Sequence, residues 1–382
     1  MKKLKVVTVV GTRPELIRLA SVIKTLDQFV DQKIVHTGQN YDYELNEVFF
    51  EDLGIRQPDY FLGVDTSTLG KTLGEILIKM EEVLLKERPD AFLVLGDTNS
   101  AISLIMAKRM KIPSYHMEAG NRSFDANVPE ENNRKLVDHM ADYNLVYTEH
   151  ARRHLISEGL PHRFIYVTGS PMREVLNSKM DQIRSSDVLN RLELEPGKYF
   201  IVSVHREENV DSKSNLKTVV KCLAELHKRY GYPVIVSTHP RTRNRLEALA
   251  PDLSGADIRF LKPFGFFDYN KLQMDAYCAI SDSGTISEES AMLDFPAVTL
   301  RNSIERPEAL DAGSIVITGL NPDVLLQSIE IVIKENEMFL KREIPIEYEV
   351  ENTSLRVLKL IVGTAKLTNR WRNMENFSRY DW

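Results

Sequence analysis

Short apolar runs rich in β-branched residues alternate with helical patterns along almost the whole chain, and this alternation limits the fold more than any other feature. Continuous apolar strands separated by helices indicate parallel sheets that are covered by helices on both faces. The predicted strands are Lys5–Val10, Lys33–His36, Ala91–Leu95, Ser114–Met117, Tyr143–Tyr147, Phe164–Val167, Tyr199–Val204, Pro233–Ser237, Arg259–Leu261, Ala276–Ser281, Ala297–Leu300 and Ile315–Ile317. They divide evenly between the two halves of the chain, which predicts an α/β protein with two doubly wound, Rossmann-like domains.

Helical periodicity fills most of the intervals between these strands. The predicted helices are Pro14–Leu26, Lys71–Lys86, Leu216–Tyr230, Arg241–Ala248, Ile286–Leu293, Pro322–Ile333 and Thr353–Leu367. Turn residues at Thr168–Pro171 follow a strand and precede a new helix, which is typical of a domain boundary. We therefore expect residues 1–170 and 171–365 to form the two domains. The tail, residues 366–382, contains both tryptophans, and we expect it to dock on the first domain.

The charge balance argues against some classes of partner. The net charge is −6 and the pI is about 5.9, whereas proteins that bind nucleic acid or anionic membranes are generally basic. No apolar window approaches the length of a transmembrane helix, and the first apolar run is too short for the core of a signal peptide. Cys222 and Cys278 lie in helix and strand patterns, which favours buried thiols in a reducing, cytoplasmic compartment.

Motifs for metals and common cofactors are absent from the sequence. Without a CxxC or HExxH pair, we expect no structural metal. Neither GxGxxG nor GxxxxGK followed by Ser or Thr occurs, so the sequence supports neither a nicotinamide cofactor nor a P-loop nucleotide.

Acidic residues follow two neighbouring predicted strands in the first half. Asp97 stands in GDT, and Glu118 stands in HMEAGNR. Ligands of open α/β sheets bind beyond the carboxyl ends of the strands, so two carboxylates arriving there suggest acid/base chemistry. In the later segment PEENNR, Glu130 and Arg134 are spaced for one helix face. They form either a surface ion pair or an acid/base group held by the arginine.

Two turns after strands are suited to bind phosphate. GTRPE opens a helix and brings Arg13 to its amino terminus, although a plain turn with a solvated arginine fits as well. In the second half, SDSGTISEES offers backbone N–H groups and hydroxyls from Ser283, Gly284 and Thr285. The alternative there is an ordinary helix cap followed by an acidic first turn.

Further charged residues follow the strands of the second half. Glu289 lies within the helix after SDSG, where its carboxylate could reach a ribose diol, and Arg306 in RNSIERPE follows the next strand. His205 and Arg206 end a strand in SVHREEN, where the histidine is either a catalyst or a structural residue. STHPRTR adds more cations, which favours an anionic ligand. Together these patterns fit an enzyme acting on a nucleotide sugar.

The motifs GTRPE, GDT, HMEAG, PEENNR, HREEN, DSG-x-x-x-EE and ERPE occur in this order over most of the chain. The series resembles the non-hydrolysing UDP-N-acetylglucosamine 2-epimerase family. The resemblance implies a GT-B-like architecture with UDP in an interdomain cleft, and a carboxyl-terminal helix that crosses back to the first domain. It also implies a homodimer whose partner is a UDP-sugar and whose reaction uses no cofactor and no metal.

Other segments are similar to the branch of this family that acts on 6-deoxy-L-sugars. They are HMEAGNRSFD, STHPRTR, DSGTISEES and HTGQNYDYELNEVFF, with Asn40–Asp42, Asn121 and Thr285 where the UDP-GlcNAc enzymes more often have other residues. That branch converts UDP-2-acetamido-2,6-dideoxy-L-talose into UDP-N-acetyl-L-fucosamine, a precursor of capsule and of the O-antigen of lipopolysaccharide. The alternatives are a UDP-GlcNAc/UDP-ManNAc 2-epimerase, a hydrolytic epimerase, a GT-B glycosyltransferase and a silent UDP-sugar sensor.

The resemblance also implies roles for individual residues. Family members eliminate UDP to a 2-acetamidoglycal and add it back, which requires acid/base groups on both faces of the sugar. The acid/base candidates are Asp97, Glu118 and Glu130, with Arg134 shaping their network. His205 would assist the leaving diphosphate. The remaining substrate-binding candidates are Arg13, Arg18, Ser283, Gly284, Thr285, Glu289 for the ribose, Tyr269 for the uracil, and Arg306.

Overall fold

The computed structural model describes residues 3–39, 50–125, 127–249, 253, 255–338, 344–372 and 374. The chain forms two compact units, which are Met1–Asn177 with Glu349–Trp382, and Ser178–Tyr348. Each unit contains one parallel sheet with helices connecting its strands. The predicted fold class, α/β with two Rossmann-like domains, is therefore confirmed.

The first unit is built on a seven-stranded parallel sheet in the order β3-β2-β1-β4-β5-β6-β7. The strands are β1 Lys5–Val10, β2 Asp31–His36, β3 Tyr60–Phe61, β4 Ala91–Leu95, β5 Ser114–Met117, β6 Tyr143–Val146 and β7 Ile165–Val167. The α-helices of this unit, including one that runs on into the second, are Arg13–Phe29, Leu69–Glu87, Leu104–Arg109, Pro129–Met140, Glu149–Ser157, Met172–Ser185, Thr353–Thr364 and Thr368–Trp371. Single 3₁₀ turns lie at Asn99–Ser103 and His162–Phe164.

The second unit is built on a six-stranded parallel sheet in the order β10-β9-β8-β11-β12-β13. The strands are β8 Phe200–Ser203, β9 Val234–Ser237, β10 Ile258–Leu261, β11 Cys278–Ser281, β12 Ala297–Thr299 and β13 Val316–Ile317. The helices are Val188–Arg191, Glu207–Val210, Lys213–Tyr230, Pro240–Leu249, Phe266–Met274, Ile286–Leu293, Pro307–Asp311 and Pro322–Glu337, with a 3₁₀ turn at Ile346–Glu349.

The packing of the second sheet explains the continuous apolar runs in the sequence. Alternate residues of its strands, such as Phe200 and Val202 of β8, are fully buried in one core with the apolar face of Lys213–Tyr230. Ile201 of the same strand packs in a separate core on the other side. Both faces of the sheet are therefore covered, so its strands appear in the sequence as continuous apolar runs. Cys222 lies in the first of these cores, where burial raises the pKa of its thiol to about 11.

The boundary between the units lies further along the chain than the sequence suggested. The units divide at Asn177, within the helix Met172–Ser185, and the chain returns to the first unit from Glu349 rather than from residue 366. The helix Thr353–Thr364 explains the difference, because the Thr353 hydroxyl donates to the carbonyl of Thr168 over 3.0 Å. Side-chain contacts with a neighbouring element, rather than local turn chemistry, decide where this domain ends.

The end of the described chain packs on the first unit. The hydroxyl of Thr364 lies 2.7 Å from that of Tyr115, and the hydroxyl of Thr368 lies 3.0 Å from that of Tyr143. The indole of Trp371 lies near the guanidinium of Arg163. The prediction for Trp382 and for Asn40–Asp42 falls outside the described residues. Within the described ranges, no helix is both long and apolar enough to span a membrane.

Candidate active site

Two carboxylates lie beyond the carboxyl ends of neighbouring strands in the first unit. Strands β4 and β5 pair in parallel, and the Gly96 N–H extends this pairing by donating to the Met117 carbonyl over 2.9 Å. Asp97 and Glu118 follow immediately. Glu118 is 5% exposed and has a φ of +61°, a conformation that non-glycine residues seldom adopt. Such a backbone is a feature of functional sites, where surrounding contacts must hold it in place.

Each of these carboxylates is paired with a buried arginine. Arg18, from the helix Arg13–Phe29, binds the carboxylate of Glu118. Arg134, from the helix Pro129–Met140, binds the carboxylate of Asp97. A charged guanidinium stabilises the ionised form of its partner. Each guanidinium therefore gives its carboxylate a defined orientation.

One face of the helix Pro129–Met140 holds the loops of the site. Arg134 Nη1 lies 3.3 Å from Glu131 Oε2, and that oxygen also accepts from the Ser123 N–H over 3.0 Å. One turn further on, Asp138 accepts from the Gly120 N–H over 3.2 Å. The predicted Glu130 is half-buried at the start of the same helix. Sequence reasoning missed Glu131 and Asp138, although their spacing from Arg134 puts all three on one face.

A third carboxylate joins the loop after β1 to the loop after β4. Glu15 is 1% exposed, and its Oε2 accepts from the Gly11 N–H over 2.8 Å. Its Oε1 accepts from the Thr98 hydroxyl over 2.9 Å. Burial raises the pKa of Glu15. A side chain on Gly11 would overlap those of Thr37 and Gln39, so the GTRPE turn depends on a glycine there.

The predicted Arg13 starts the helix that follows this turn and is half-buried. Thr12 is the amino-terminal cap residue, but its hydroxyl donates to Glu15 Oε2 over 2.9 Å and makes no capping bond. The first N–H groups of the helix therefore do not donate to that side chain. A helix start of this kind is suited to bind an anion.

In the second unit, a buried aspartate organises the loop that carries the predicted histidine. Asp282 is fully buried, and its carboxylate accepts from the N–H groups of His205 at 3.1 Å and Arg206 at 3.0 Å. The Asn209 side chain donates to it over 3.0 Å. His205 Nδ1 lies 3.3 Å from Asp282 Oδ1, while the imidazole is 45% exposed. This arrangement directs Nδ1 to the carboxylate and leaves Nε2 accessible.

The turn after β11 presents hydroxyls and lies near two arginines. The hydroxyls of Ser283 and Thr285 lie 3.0 Å apart, at the start of the helix Ile286–Leu293. A methyl group built on Gly284 would lie 3.7 Å from Glu305 Oε2, 3.9 Å from Arg206 Nη2 and 3.9 Å from Arg306 Nε. The turn therefore offers hydroxyl, N–H and guanidinium donors, which a phosphate site requires.

Two further predicted residues have defined partners in the second unit. Glu289 is 8% exposed, and its Oε2 accepts from the Gln273 side chain over 2.8 Å. Arg306 is 2% exposed, and its Nη2 lies 3.0 Å from Glu288 Oε2. Sequence reasoning missed Gln273, which comes from a different helix and has no motif around it.

The side chain of Tyr269 is half-buried. Its ring packs against the core beneath β8 and β11, and its hydroxyl lies within hydrogen-bonding range of Ser203 and Ser281. Burial raises the pKa of the phenol well above its usual value. Its hydroxyl thus reaches the ends of the two strands that lead to His205 and to Ser283.

In the described parts of the chain, no group of three or more His, Cys, Asp or Glu side chains has the geometry of a metal site. The candidate site residues of the first unit are carboxylates paired with arginines. Those of the second unit are a histidine, hydroxyls and arginines. The first set can transfer protons, and the second can bind a phosphate.

Comparison with known proteins identifies the family. A family model described as UDP-N-acetylglucosamine 2-epimerase matches residues 24–362. The chain belongs to this family. A solved UDP-N-acetylglucosamine 2-epimerase from Rickettsia bellii is 46% identical, with a TM-score of 0.90, and the match covers 98% of this chain and 100% of that one. The chain is accordingly an isomerase of the epimerase family.

Two other relatives show the range of this epimerase family. The crystal structure of the Methanocaldococcus jannaschii UDP-GlcNAc 2-epimerase in complex with UDP-GlcNAc and UDP is 34% identical, with a TM-score of 0.87, and the match covers 94% of this chain and 100% of that one. A UDP-2,3-diacetamido-2,3-dideoxy-D-glucuronate 2-epimerase of Pseudomonas aeruginosa is 33% identical over 330 residues, 85% of this chain and 91% of that one. Membership of the family is thus compatible with more than one sugar.

We predict that Gly120→Ala destabilises the first unit by about 2–4 kcal/mol. Gly120 has a φ of +80°, and a β-carbon there would overlap the carbonyl oxygen of Ala151. Gly159→Ala is a matched control, since Gly159 has a φ of +86° but no atom within 4 Å of the added carbon. Trp371 packs on the first unit, so denaturant unfolding followed by tryptophan fluorescence measures the effect. Equal losses in the two variants would contradict the proposed overlap.

Proposed function

We propose that this protein is a non-hydrolysing C2 epimerase of a UDP-2-acetamido sugar. The observation that carries the proposal is the pair of arginine-bound carboxylates, Asp97 and Glu118, beyond the ends of adjacent strands. A sugar C2–H is not acidic, because no carbonyl lies next to it. Its removal becomes feasible when the bond from C1 to the UDP oxygen breaks at the same time. Two proton-transfer groups and a site for departing UDP are then sufficient.

In the proposed reaction, a carboxylate removes the C2 proton and the C1–O bond breaks with its electron pair leaving on UDP. The C2–H electrons form the C1=C2 bond of a 2-acetamidoglycal. A proton then reaches the opposite face of C2 while UDP adds back at C1, so atoms and charge balance without a cofactor. Asp97 and Glu118 carry these proton transfers, and Glu130 and Arg134 shape their network.

In this proposal, most of the groups that bind UDP belong to the second unit. His205, oriented by Asp282, donates to or protonates the diphosphate as it leaves. Ser283, Gly284 and Thr285 bind phosphate oxygens with their N–H and hydroxyl groups. The other proposed contacts are Glu289 with the ribose, Tyr269 with the uracil, and Arg13, Arg18 and Arg306 with the phosphates or sugar.

For the sugar, we propose UDP-2-acetamido-2,6-dideoxy-L-talose, which the enzyme converts into UDP-N-acetyl-L-fucosamine. Asn121 supports this assignment, because it is 4% exposed and lies three residues after Glu118 in the loop that joins β5 to the helix Pro129–Met140. A change of residue there alters the surroundings of an acid/base carboxylate. We further propose that the enzyme is a cytoplasmic homodimer that supplies capsule or O-antigen biosynthesis.

A panel of nucleotide sugars tests the substrate assignment. We expect the anomeric NMR signals of the L-talo substrate to convert into those of the L-fuco epimer, with no free sugar and no net release of UDP. Conversion of UDP-GlcNAc but not of the L-talo compound would contradict the assignment while leaving the epimerase chemistry intact. Irreversible release of UDP and free sugar would indicate a hydrolytic epimerase. Transfer of the sugar to an acceptor would indicate a glycosyltransferase.

A further inference from the structure

A fully buried histidine lies between the two loops that carry the carboxylates. His116 is in β5, and it pairs with Val94 of β4 on one side and with Asn144 of β6 on the other. Its Nδ1 lies 2.9 Å from Asp138 Oδ1, and its Nε2 lies 2.7 Å from the carbonyl oxygen of Gly96. Both ring nitrogens are therefore within hydrogen-bond distance of an oxygen.

The partner of Nδ1 is held as a carboxylate. Asp138 is fully buried, and Arg122 Nη1 donates to its Oδ2 over 2.7 Å. The Gly120 N–H donates to both of its oxygens over 3.2 Å. Each of these contacts supplies a donor to the carboxylate, and one of the donors is a cation. A buried aspartate in such surroundings is stabilised in its ionised form.

The partner of Nε2 is a peptide carbonyl, which can only accept. A deprotonated Nε2 would direct its lone pair at the oxygen of Gly96 over 2.7 Å, an arrangement that is repulsive rather than bonding. Nε2 therefore carries a proton. Because the carboxylate of Asp138 requires a proton on Nδ1 as well, both ring nitrogens of His116 are donors.

The charges around the histidine balance when it is an imidazolium. Arg122 binds the carboxylate of Glu158 through two bonds of 2.7 Å in addition to its bond to Asp138. His116 and Arg122 then provide two positive charges, and Asp138 and Glu158 provide two negative ones. His139 lies 3.0 Å from Glu158 at the outer end of this network, and its ring is 46% exposed.

We infer that His116 is a positioning residue. It is kept doubly protonated and fixes the backbone next to both acid/base residues. Its Nε2–H holds the carbonyl of Gly96, the residue before Asp97. Its Nδ1–H binds Asp138, which also binds the N–H of Gly120. Glu118, which has a φ of +61°, is thus held by contacts at His116, two residues before it, and at Gly120, two residues after it. The protonation state stands on the contacts alone, whereas the effect on turnover rests on the proposed function.

NMR of protein labelled with ¹⁵N in histidine tests the protonation state. The chain has nine histidines, and the signals of His116 are assigned by their loss in His116→Asn. We expect the signals of His116 at neutral pH to show a proton on both ring nitrogens. A signal from His116 at neutral pH with one unprotonated ring nitrogen would overturn the inference.

Steady-state kinetics of the same variant test the positioning role. An asparagine cannot bridge Gly96 and Asp138, so we expect His116→Asn to lower kcat about tenfold or more through misplacement of the carboxylates. The KM and the affinity for UDP should change less than about twofold, because most of the proposed contacts with UDP come from the second unit. His139→Asn is the matched control and should retain wild-type kinetics. A wild-type kcat in His116→Asn would overturn the role.

The NMR and kinetic experiments distinguish failure of this inference from failure of the proposed function. If the wild-type protein converts no UDP-sugar, the proposed function fails, and the NMR experiment still decides the protonation state of His116. If the wild-type protein is an epimerase but His116 has one unprotonated ring nitrogen, the proposed function stands and the inference fails. A fall in UDP affinity equal to the fall in kcat would indicate general loss of structure and would also overturn the positioning role.

Discussion

Replacement of Glu118 by glutamine lowers turnover by a factor of about 100 or more, and Asp97→Asn does the same, because each change removes a proton-transfer group. Glutamine has nearly the shape of glutamate and can still accept from Arg18, so we expect the affinity for UDP to stay close to that of the wild type. Steady-state rates with the best substrate of the panel, together with UDP binding by calorimetry, measure the two quantities separately.

Glu149→Gln is the control for this prediction. Glu149 is a glutamate of the same unit whose side chain is 46% exposed, and it forms an ion pair with Arg152 three residues later. Loss of a solvent-accessible pair of this kind contributes little to stability, so we expect wild-type turnover. Wild-type rates in both Glu118→Gln and Asp97→Asn would refute their assignment as the acid/base pair. If only one of the two variants loses turnover, the other proton transfer would be assigned to Glu130.

The largest expected effect on stability comes from Asp138→Ala, which should lower the free energy of unfolding of the first unit by about 3–5 kcal/mol. The substitution leaves His116 without its carboxylate partner in a fully buried position and removes one of the two carboxylates that bind Arg122. It also removes the acceptor of the Gly120 N–H. Denaturant unfolding followed by tryptophan fluorescence reports on this unit through Trp371, which packs on it.

Glu82→Ala is the control for Asp138→Ala, since Glu82 is an exposed carboxylate on Leu69–Glu87, another helix of the same unit. Its loss should change the free energy of unfolding by no more than about 0.5 kcal/mol. A cost below about 1 kcal/mol for Asp138→Ala would show that the buried network does not hold the first unit together. Each variant removes one carboxylate from a helix, and the two sites differ in burial, so their comparison isolates the contribution of the buried network.

The fold could be predicted because parallel sheets covered on both faces give continuous apolar runs, as in β4 and β11. The exception is β3, Tyr60–Phe61, which consists of two residues that pair with Val35 and His36. So short an element carries no periodicity. The domain boundary was also misjudged, because the attachment of Thr353–Thr364 to the first unit depends on contacts between residues far apart in the chain.

The candidate site could be predicted where a motif combined a strand end with a charged residue, as for Asp97 and Glu118. The partners that orient them were harder to find. Asp138 follows PEENNR without a motif of its own, and Glu15 was considered only as part of a turn. A buried carboxylate that binds backbone N–H groups has the same appearance in the sequence as an exposed one. The roles of Asp138 and Glu15 can be recognised only from the structure, which shows the loops that they bind.

Isotope exchange tests whether the protein eliminates UDP and adds it back through proton transfer at C2. The protein is incubated with the best substrate of the panel in deuterated water, and both epimers are analysed by NMR and mass spectrometry. We predict that deuterium from the solvent appears at C2 as epimerisation proceeds. Epimerisation that retains hydrogen at C2 throughout would contradict it, as would full conversion to a transfer product without any exchange.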